Sequence, residues 1–428
     1  MLSAFVFLSQ IVITSLVLHK LVQEKRKAEV PSLAWKQITI QGDEVNLMRM
    51  IWKLVIFSLI VSIFIANIPQ KVDASVSVSA ASAVLIEQKS GRILYEKDAY
   101  TKRRIASITK IMTAKLAIES GKMNQYVKVS EQATRAEGSS VYLKPGEKIK
   151  LKDLVYGLML RSGNDTAVAI AEYVGGSVEG FAYLMNLKAK EIGMLNTHFS
   201  NPHGLDDHEN HYSTAYDMAV LMRYAMQDKT FKKISGTKVY RAPNPTEDWD
   251  RVWKNKNRLL TKYKYTTGGK TGFTKRAKRT LVTTATKGDM NLIAVTLDGP
   301  DDWNDHISMY ESGFKGFDMA EVLSKGKIEG VKNKYYKNHL YVKRTIVYPV
   351  TSEEMDLFSI KYKLNKPFKK FDEDKKTDEV VGKAAVYLDG RVIKETPIYY
   401  QNMPEPNKGL LNSVREIFLT IIGVKSNG

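Results

Sequence analysis

Three short polar clusters occur in a fixed order along the chain: Ser107-Ile108-Thr109-Lys110, Ser162-Gly163-Asn164 and Lys270-Thr271-Gly272. The first sets a hydroxyl three residues ahead of an amine. In a helix that spacing puts both groups on one face, close enough for the amine to take the hydroxyl proton. The second supplies another hydroxyl and a side-chain amide able to grip a peptide bond. The third is a cation beside a hydroxyl and a glycine, which suits a strand edge receiving a substrate carboxylate. Together they describe serine acyl transfer.

The flanking pattern says what must hold these groups. Ala83–Glu87 and Arg92–Glu96 read as strands joined at Gln88–Gly91. Ile108–Ser120 reads as a helix, and Leu151–Leu160 and Asp165–Val174 as two more that flank the Ser162 cluster. Phe181–Ile192 continues the helical section. Thr280–Thr286 and Leu292–Leu297 form a β-rich hairpin after the Lys270 cluster. Strands, then helices, then strands predict an α+β domain, an antiparallel sheet with a helical cluster on one side. Beyond about residue 315, Tyr341–Val350, Phe358–Leu364, Ala384–Leu388 and Arg391–Tyr399 are short alternating runs of a small all-β domain. Pro404, Pro406 and Gly409 precede Leu410–Ile422, whose apolar residues form one helical stripe. At about 13 residues it is too short to cross a bilayer that needs about 20, and it predicts an anchor lying in the membrane surface.

The chain has 428 residues, 43% hydrophobic and 26% charged, which allows two domains and a large core. It has no cysteine, so disulfides and thiolate metal sites are excluded. The net charge of +19 suggests an anionic partner. The basic residues are scattered and no nucleic-acid-binding motif is present, so nucleic acid is not expected.

Two apolar stretches precede the domains. Leu2–Leu18 runs into the basic segment His19–Lys27. Leu54–Ile65 has basic residues before it and Val72-Asp73-Ala74 after it, the three parts of a secretory signal with cleavage after Ala74. The expected division is thus a signal over 48–74, a catalytic domain over 80–310, a β-rich domain over 318–403 and an anchor helix over 408–424. Residues 1–47 are read as an over-extended gene start, since Glu44-Val45-Asn46 can be encoded by a ribosome-binding-like sequence just before Met48. The rival is a two-span hairpin with a cytoplasmic basic loop. Either way, everything after Ala74 lies outside the cytoplasm.

Ser-x-x-Lys alone is uninformative, for it also occurs at Ser235, Ser312 and Ser324. The first copy stands apart by its helical context and its two partners. Asp206, Asp207, His208 and His211 invite a metal reading, but a polar loop bonded to its own backbone is the simpler one. Lys275 and Arg279 either line the site or solvate its rim.

The ordered combination resembles penicillin-binding proteins and related β-lactamases. With Arg104-Ile105-Ala106, Leu160–Asp165, Asn201-Pro202-His203-Gly204-Leu205 and Gly268–Gly272, the chain resembles low-molecular-mass penicillin-binding proteins, the serine D-alanyl-D-alanine carboxypeptidases of the S11 peptidase family, over about residues 80 to 400. Asp206–Thr214 resembles the sporulation-specific branch of endospore formers. The resemblance implies the transpeptidase-like α+β fold, a β-rich second domain and often an amphipathic membrane anchor. It implies removal of the last D-Ala from peptidoglycan stem pentapeptides, limiting cross-linking in cell wall or spore cortex, with β-lactam antibiotics as covalent inhibitors and no cofactor.

On this reading Ser107 is the nucleophile, Lys110 the base and Ser162 the proton relay. Asn164, Lys270, Thr271 and Gly272 hold substrate, and the backbone N–H groups of Ser107 and Phe273 form the oxyanion hole. Bringing a lysine from about 10.4 to near 7 requires roughly 4–5 kcal/mol of bias against the ammonium, for which burial and the Lys270 charge are the sources. One departure stands out: the Gly299–His306 segment, read as a loop, lacks the arginine with which many relatives hold the substrate carboxylate, leaving Lys270, Thr271 or another base. The alternatives are a β-lactamase-like hydrolase, for which no deacylating glutamate is identifiable, and a non-catalytic wall-binding protein.

Overall fold

The computed structural model describes residues 76–244, 247–331, 333, 335–366 and 379–400, with 52–53 and 56–57. The signal and anchor segments fall almost wholly outside these, and among them no helix is long and apolar enough to cross a membrane.

Strands β1 (Ser82–Glu87) and β2 (Ile93–Lys97) open the first domain as the expected hairpin. A 3-10 turn, Ala106–Thr109, runs directly into helix α1 (Lys110–Glu119). The sequence reading placed Ser107 at the edge of one helix, and the tighter turn is the refinement. A small hairpin of β3 (Tyr126–Lys128) and β4 (Lys148–Lys150) leads into α2 (Leu151–Arg161), α3 (Asn164–Gly175) and α4 (Val178–Glu191). Helices α5 (Ala215–Ala225) and α6 (Lys229–Gly236) and the hairpin β5 (Val239–Ala242) and β6 (Arg251–Lys254) follow, none of them anticipated. Then come β7 (Thr266–Thr274), β8 (Lys278–Lys287), β9 (Met290–Leu297) and α7 (Asp302–Gly316). The Gly299–His306 segment is therefore no loop, since from Asp302 it is helix.

The five-stranded antiparallel sheet has the order β2-β1-β9-β8-β7, so both ends of the domain close it and β7 is an edge. Strand alternation splits its residues between two cores. Val84, Ile86, Val282, Ile293 and Val295 pack with the helical cluster. Leu85, Leu281, Leu292 and Ala294 pack with Met309 and Tyr310 of α7. This is the α+β arrangement expected. Ser177 and Thr214 cap α4 and α5 by accepting from Gly180 N and Asp217 N, each at 3.0 Å, which explains where those helices begin.

The second domain is all β. Strand β10 (Asp318–Leu323) pairs with β13 (Ile346–Val350), and β11 (Gly326–Lys327), β12 (Leu340–Val342), β14 (Phe358–Leu364), β15 (Glu379–Leu388) and β16 (Arg391–Tyr400) form a sheet ordered β11-β12-β16-β15-β14. The run Tyr341–Val350, read as one strand, is two strands paired to different partners. Arg92 joins the domains: its Nη1 donates to Pro349 O at 2.7 Å, Nη2 pairs with Glu354 at 2.5 Å, and the guanidinium lies over Phe317 and Tyr348.

Candidate active site

The three clusters converge where α1, the α2–α3 junction and β7 meet. Lys110 is fully buried, and its Nζ donates to Ser107 Oγ at 2.9 Å, Asn164 Oδ1 at 2.7 Å and His203 O at 2.6 Å. Asn164 Oδ1 and His203 O thus hold the amine on the hydroxyl. Burial pushes Lys110 well below the ordinary lysine range, and the charges of Lys270 and Lys256 push it the same way.

Ser162 follows the end of α2 in a left-handed conformation, φ 65°, which turns the chain sharply into α3. Its hydroxyl accepts from Lys270 Nζ at 3.0 Å. Lys270 is itself buried and also donates to Thr271 O at 2.6 Å; burial, then the charge of Lys256, lowers it to about 7. The sequence suggests a strand-edge cation for the substrate carboxylate; Lys270 does lie on the edge strand β7, and within the protein its ammonium also supports Ser162. Thr271 is half-buried in β7, and Phe273, two residues on, is 65% exposed.

Gly272 explains how β7 comes so close. A Cβ there would stand 2.8 Å from Ser107 N and 3.1 Å from Ile108 N. The missing side chain lets the strand lie against the start of the turn that carries Ser107.

The sequence suggests that the Asn164 amide orients the substrate peptide. Both its ends are occupied within the protein: Oδ1 accepts from Lys110, and Nδ2 donates to Glu137 O. Asp165, the next residue, is buried and caps the neighbouring segment, accepting from Ser140 Oγ at 2.6 Å, Val141 N at 3.0 Å, Leu143 N at 3.2 Å and Thr166 N at 2.8 Å.

Several positioning residues escaped the sequence reading. Asn201 accepts from Gly204 N at 2.6 Å and donates to Leu205 O at 3.2 Å, folding the loop that offers His203 O to Lys110. Gly204 has φ 86°, and any Cβ there would collide with Ala106 O. Thr113 ties the same loop to α1 through Pro202 O at 2.6 Å. His211 accepts from Ser200 N at Nδ1, so its proton sits on Nε2 and points to Thr109 Oγ1, 2.8 Å away; that hydroxyl in turn donates to Ala106 O. The signal available was the Pro-His-Gly tripeptide, which marks a constrained turn without naming its partner.

The polar loop reading of 206–211 holds only partly. Glu209 receives both Arg104 and Arg276, and Arg276 N donates to Asp206, so the loop is strapped to two other segments. Among the described residues no cluster of three His, Cys, Asp or Glu side chains is arranged to hold a metal. Arg279 turns away to Asp302, 2.6 Å, and Trp303, while Lys275 is exposed beside Arg276. Of the other Ser-x-x-Lys serines, Ser235 is buried and donates to Lys232 O in its own helix, and Ser324 is exposed and donates to Glu321.

Residues 68–301 match the model of the peptidase S11 family, D-alanyl-D-alanine carboxypeptidase. The chain belongs to that family. Residues 317–405 match the C-terminal domain of penicillin-binding protein 5. The carboxypeptidase is 35% identical to D-alanyl-D-alanine carboxypeptidase DacF of Bacillus subtilis over 338 residues, 74% of this chain and 84% of that one. It is 33% identical to DacC of Escherichia coli over 361 residues, 77% of this chain and 85% of that one. Penicillin-binding protein 5 of Haemophilus influenzae superposes with a TM-score of 0.63 at 28% identity, covering 76% of this carboxypeptidase and 97% of that chain. The chain is thus a serine-type D-alanyl-D-alanine carboxypeptidase of cell-wall metabolism.

Proposed function

We propose that Ser107 is acylated by peptidoglycan stem peptides ending in D-Ala-D-Ala. The observation that carries this is the 2.9 Å contact from buried Lys110 to Ser107 Oγ. Neutral Lys110 keeps its two N–H groups on Asn164 Oδ1 and His203 O and turns its lone pair to the Ser107 hydroxyl, taking that proton as Oγ attacks the carbonyl of the penultimate D-Ala. The oxyanion forms against the backbone N–H groups of Ser107 and Phe273, a donor of this kind contributing about 3–4 kcal/mol. Ser162, supported by Lys270, passes a proton from Lys110 to the departing amine. The last D-Ala leaves, and water then releases the shortened peptide from Ser107. A β-lactam carbonyl enters the same path, but its opened ring stays attached, so the adduct persists. Asp165 has both oxygens committed to backbone and hydroxyl donors, which argues against its serving a lactamase's deacylating water.

The test is D-Ala release from a stem pentapeptide, with labelled penicillin in parallel. Ser107→Ala should abolish both and leave the fold intact. A penicillin adduct that persists in Ser107→Ala and maps to Ser235, Ser312 or Ser324 would overturn the assignment.

The basic-flanked 48–74 segment supports export, and the Leu410–Ile422 stripe supports attachment to the outer membrane face. The Asp206–Thr214 wording supports action on the spore envelope.

A further inference from the structure

Among the described residues, eight non-glycine positions have a positive φ. Five are Asp98, Asp298, Asn338 and Asp389, which tolerate it, and Lys278 at the hairpin turn. Of the other three, Ala106 and Ser162 belong to the active site, and Tyr142 lies on the segment that Ser139 and Asp165 tie to Asn164 and its neighbour. Ala106 precedes the nucleophile and Ser162 is the relay. Tyr142 has no part in the chemistry described above, yet it is held at φ 63° with 82% of its surface in water.

The surrounding bonds enforce that posture. Asp165 grips Val141 N and Leu143 N on either side, and Ser140 Oγ, which donates to Asp165, accepts from Tyr142 N at 2.8 Å. Val141 and Leu143 are buried, so the reversed residue between them is the one sent outward. Asparagine or glycine would meet this φ without strain. Strain of this kind persists where surrounding structure over-determines it, and it gathers at functional sites. The clamp begins at the residue after Asn164. The same segment gives Ser139 O to Asn164 N at 2.6 Å and Ser139 Oγ to Lys256 Nζ at 3.0 Å, so residues 137–143 form a wall of the site and Tyr142 its rim.

We propose that Tyr142 is a substrate-contacting residue whose ring receives the long aliphatic side chain of the residue preceding D-Ala-D-Ala. The inference rests on the carboxypeptidase reading of the site. With the scissile carbonyl at Ser107 and the terminal carboxylate towards β7, the remainder of the peptide leaves past Asn164, and its next side chain meets the 137–143 wall. A rigidly displayed aromatic face suits methylene groups. A short side chain there would not reach it.

The experiment compares D-Ala release from Nα,Nε-diacetyl-L-Lys-D-Ala-D-Ala and Nα-acetyl-L-Ala-D-Ala-D-Ala. Tyr142→Asn removes the ring while satisfying the backbone, and Tyr142→Phe retains it. For Tyr142→Asn, kcat/KM on the lysyl peptide should fall about tenfold and on the alanyl peptide change by less than about twofold. Tyr142→Phe should match wild type on both. Equal losses on the two peptides, or none on either, would overturn the inference. Wild-type protein inert to both peptides would instead overturn the carboxypeptidase reading on which it stands.

Discussion

His211 Nε2 lies 2.8 Å from the hydroxyl of Thr109, two residues after the nucleophile, so a loop about a hundred residues downstream steadies the turn that carries Ser107. Burial lowers this imidazole to about 3, which keeps it neutral and its single proton committed to Thr109. His211→Phe should destabilise the fold by about 1–3 kcal/mol, since Ser200 N is left unpartnered. Penicillin acylation should slow with it. Denaturant unfolding and stopped-flow labelling measure the two effects; unchanged acylation would show that the turn holds without the imidazole.

Lys270 contributes charge as well as a hydrogen bond. Its cation helps depress Lys110, so removing it lets the Lys110 pKa rise. In Lys270→Gln the acid limb of the kcat/KM profile should move to higher pH, with a lower plateau because Ser162 loses its donor. Lys270→Arg should keep the limb near its wild-type position. A profile that shifts downwards in Lys270→Gln would contradict the electrostatic account.

Gly272→Ala places a methyl group against Ser107 N. The strand must then retreat from the nucleophile, and misplacement by about 1 Å can cost about a hundredfold in rate. The variant should fold, with circular dichroism unchanged, while acylation by penicillin falls by about that factor. Acylation within about threefold of wild type would show that the close approach is dispensable.

Stability should decline in acid through three buried imidazoles. His203, His211 and His306 are each lowered from 6.5 to about 3 by burial. Below about pH 6.5 the unfolded chain takes up protons that the folded one refuses, so their contribution is complete above 6.5 and is lost as pH falls towards 3. Denaturation midpoints between pH 7.5 and 4 should fall steadily, and His306→Gln should flatten that slope. His306 lies in α7 and bridges Thr283 at 2.6 Å and Thr296 at 3.0 Å; it bonds none of Ser107, Lys110 or Ser162, and D-Ala release measured in parallel separates its effect on stability from any on catalysis.

Deleting residues 408–428 from signal-cleaved protein should release it from anionic liposomes with D-Ala release unchanged. Full-length mature protein that already floats free of such liposomes would remove the anchor proposal.

The groups proposed to react were legible because their chemistry is local. Ser107 and Lys110 are three apart, and each remaining cluster is a tripeptide. Their supports were not, because they are long-range. Lys110 meets Asn164 and His203 O, and Lys270 meets Ser162, across separations that only the packed helices and β7 close. Asn164 shows what a motif alone leaves out: its amide also bonds Lys110 and Glu137 O, partners 54 and 27 residues away. In the fold, β1, β2, α2 and α3 followed their apolar periodicity. α7 was missed because Pro300, Asp301, Asp302 and Asn304 look like turn residues, although they precede and begin a helix.

Arg92 changes what the second domain does for the first. A guanidinium bonded to Pro349 O and Glu354 and layered between two aromatic rings is a weld, not a swivel. The second domain therefore cannot turn about this junction without breaking the Arg92 contacts, and any load taken up by its sheet is passed through β2 into the sheet that carries β7.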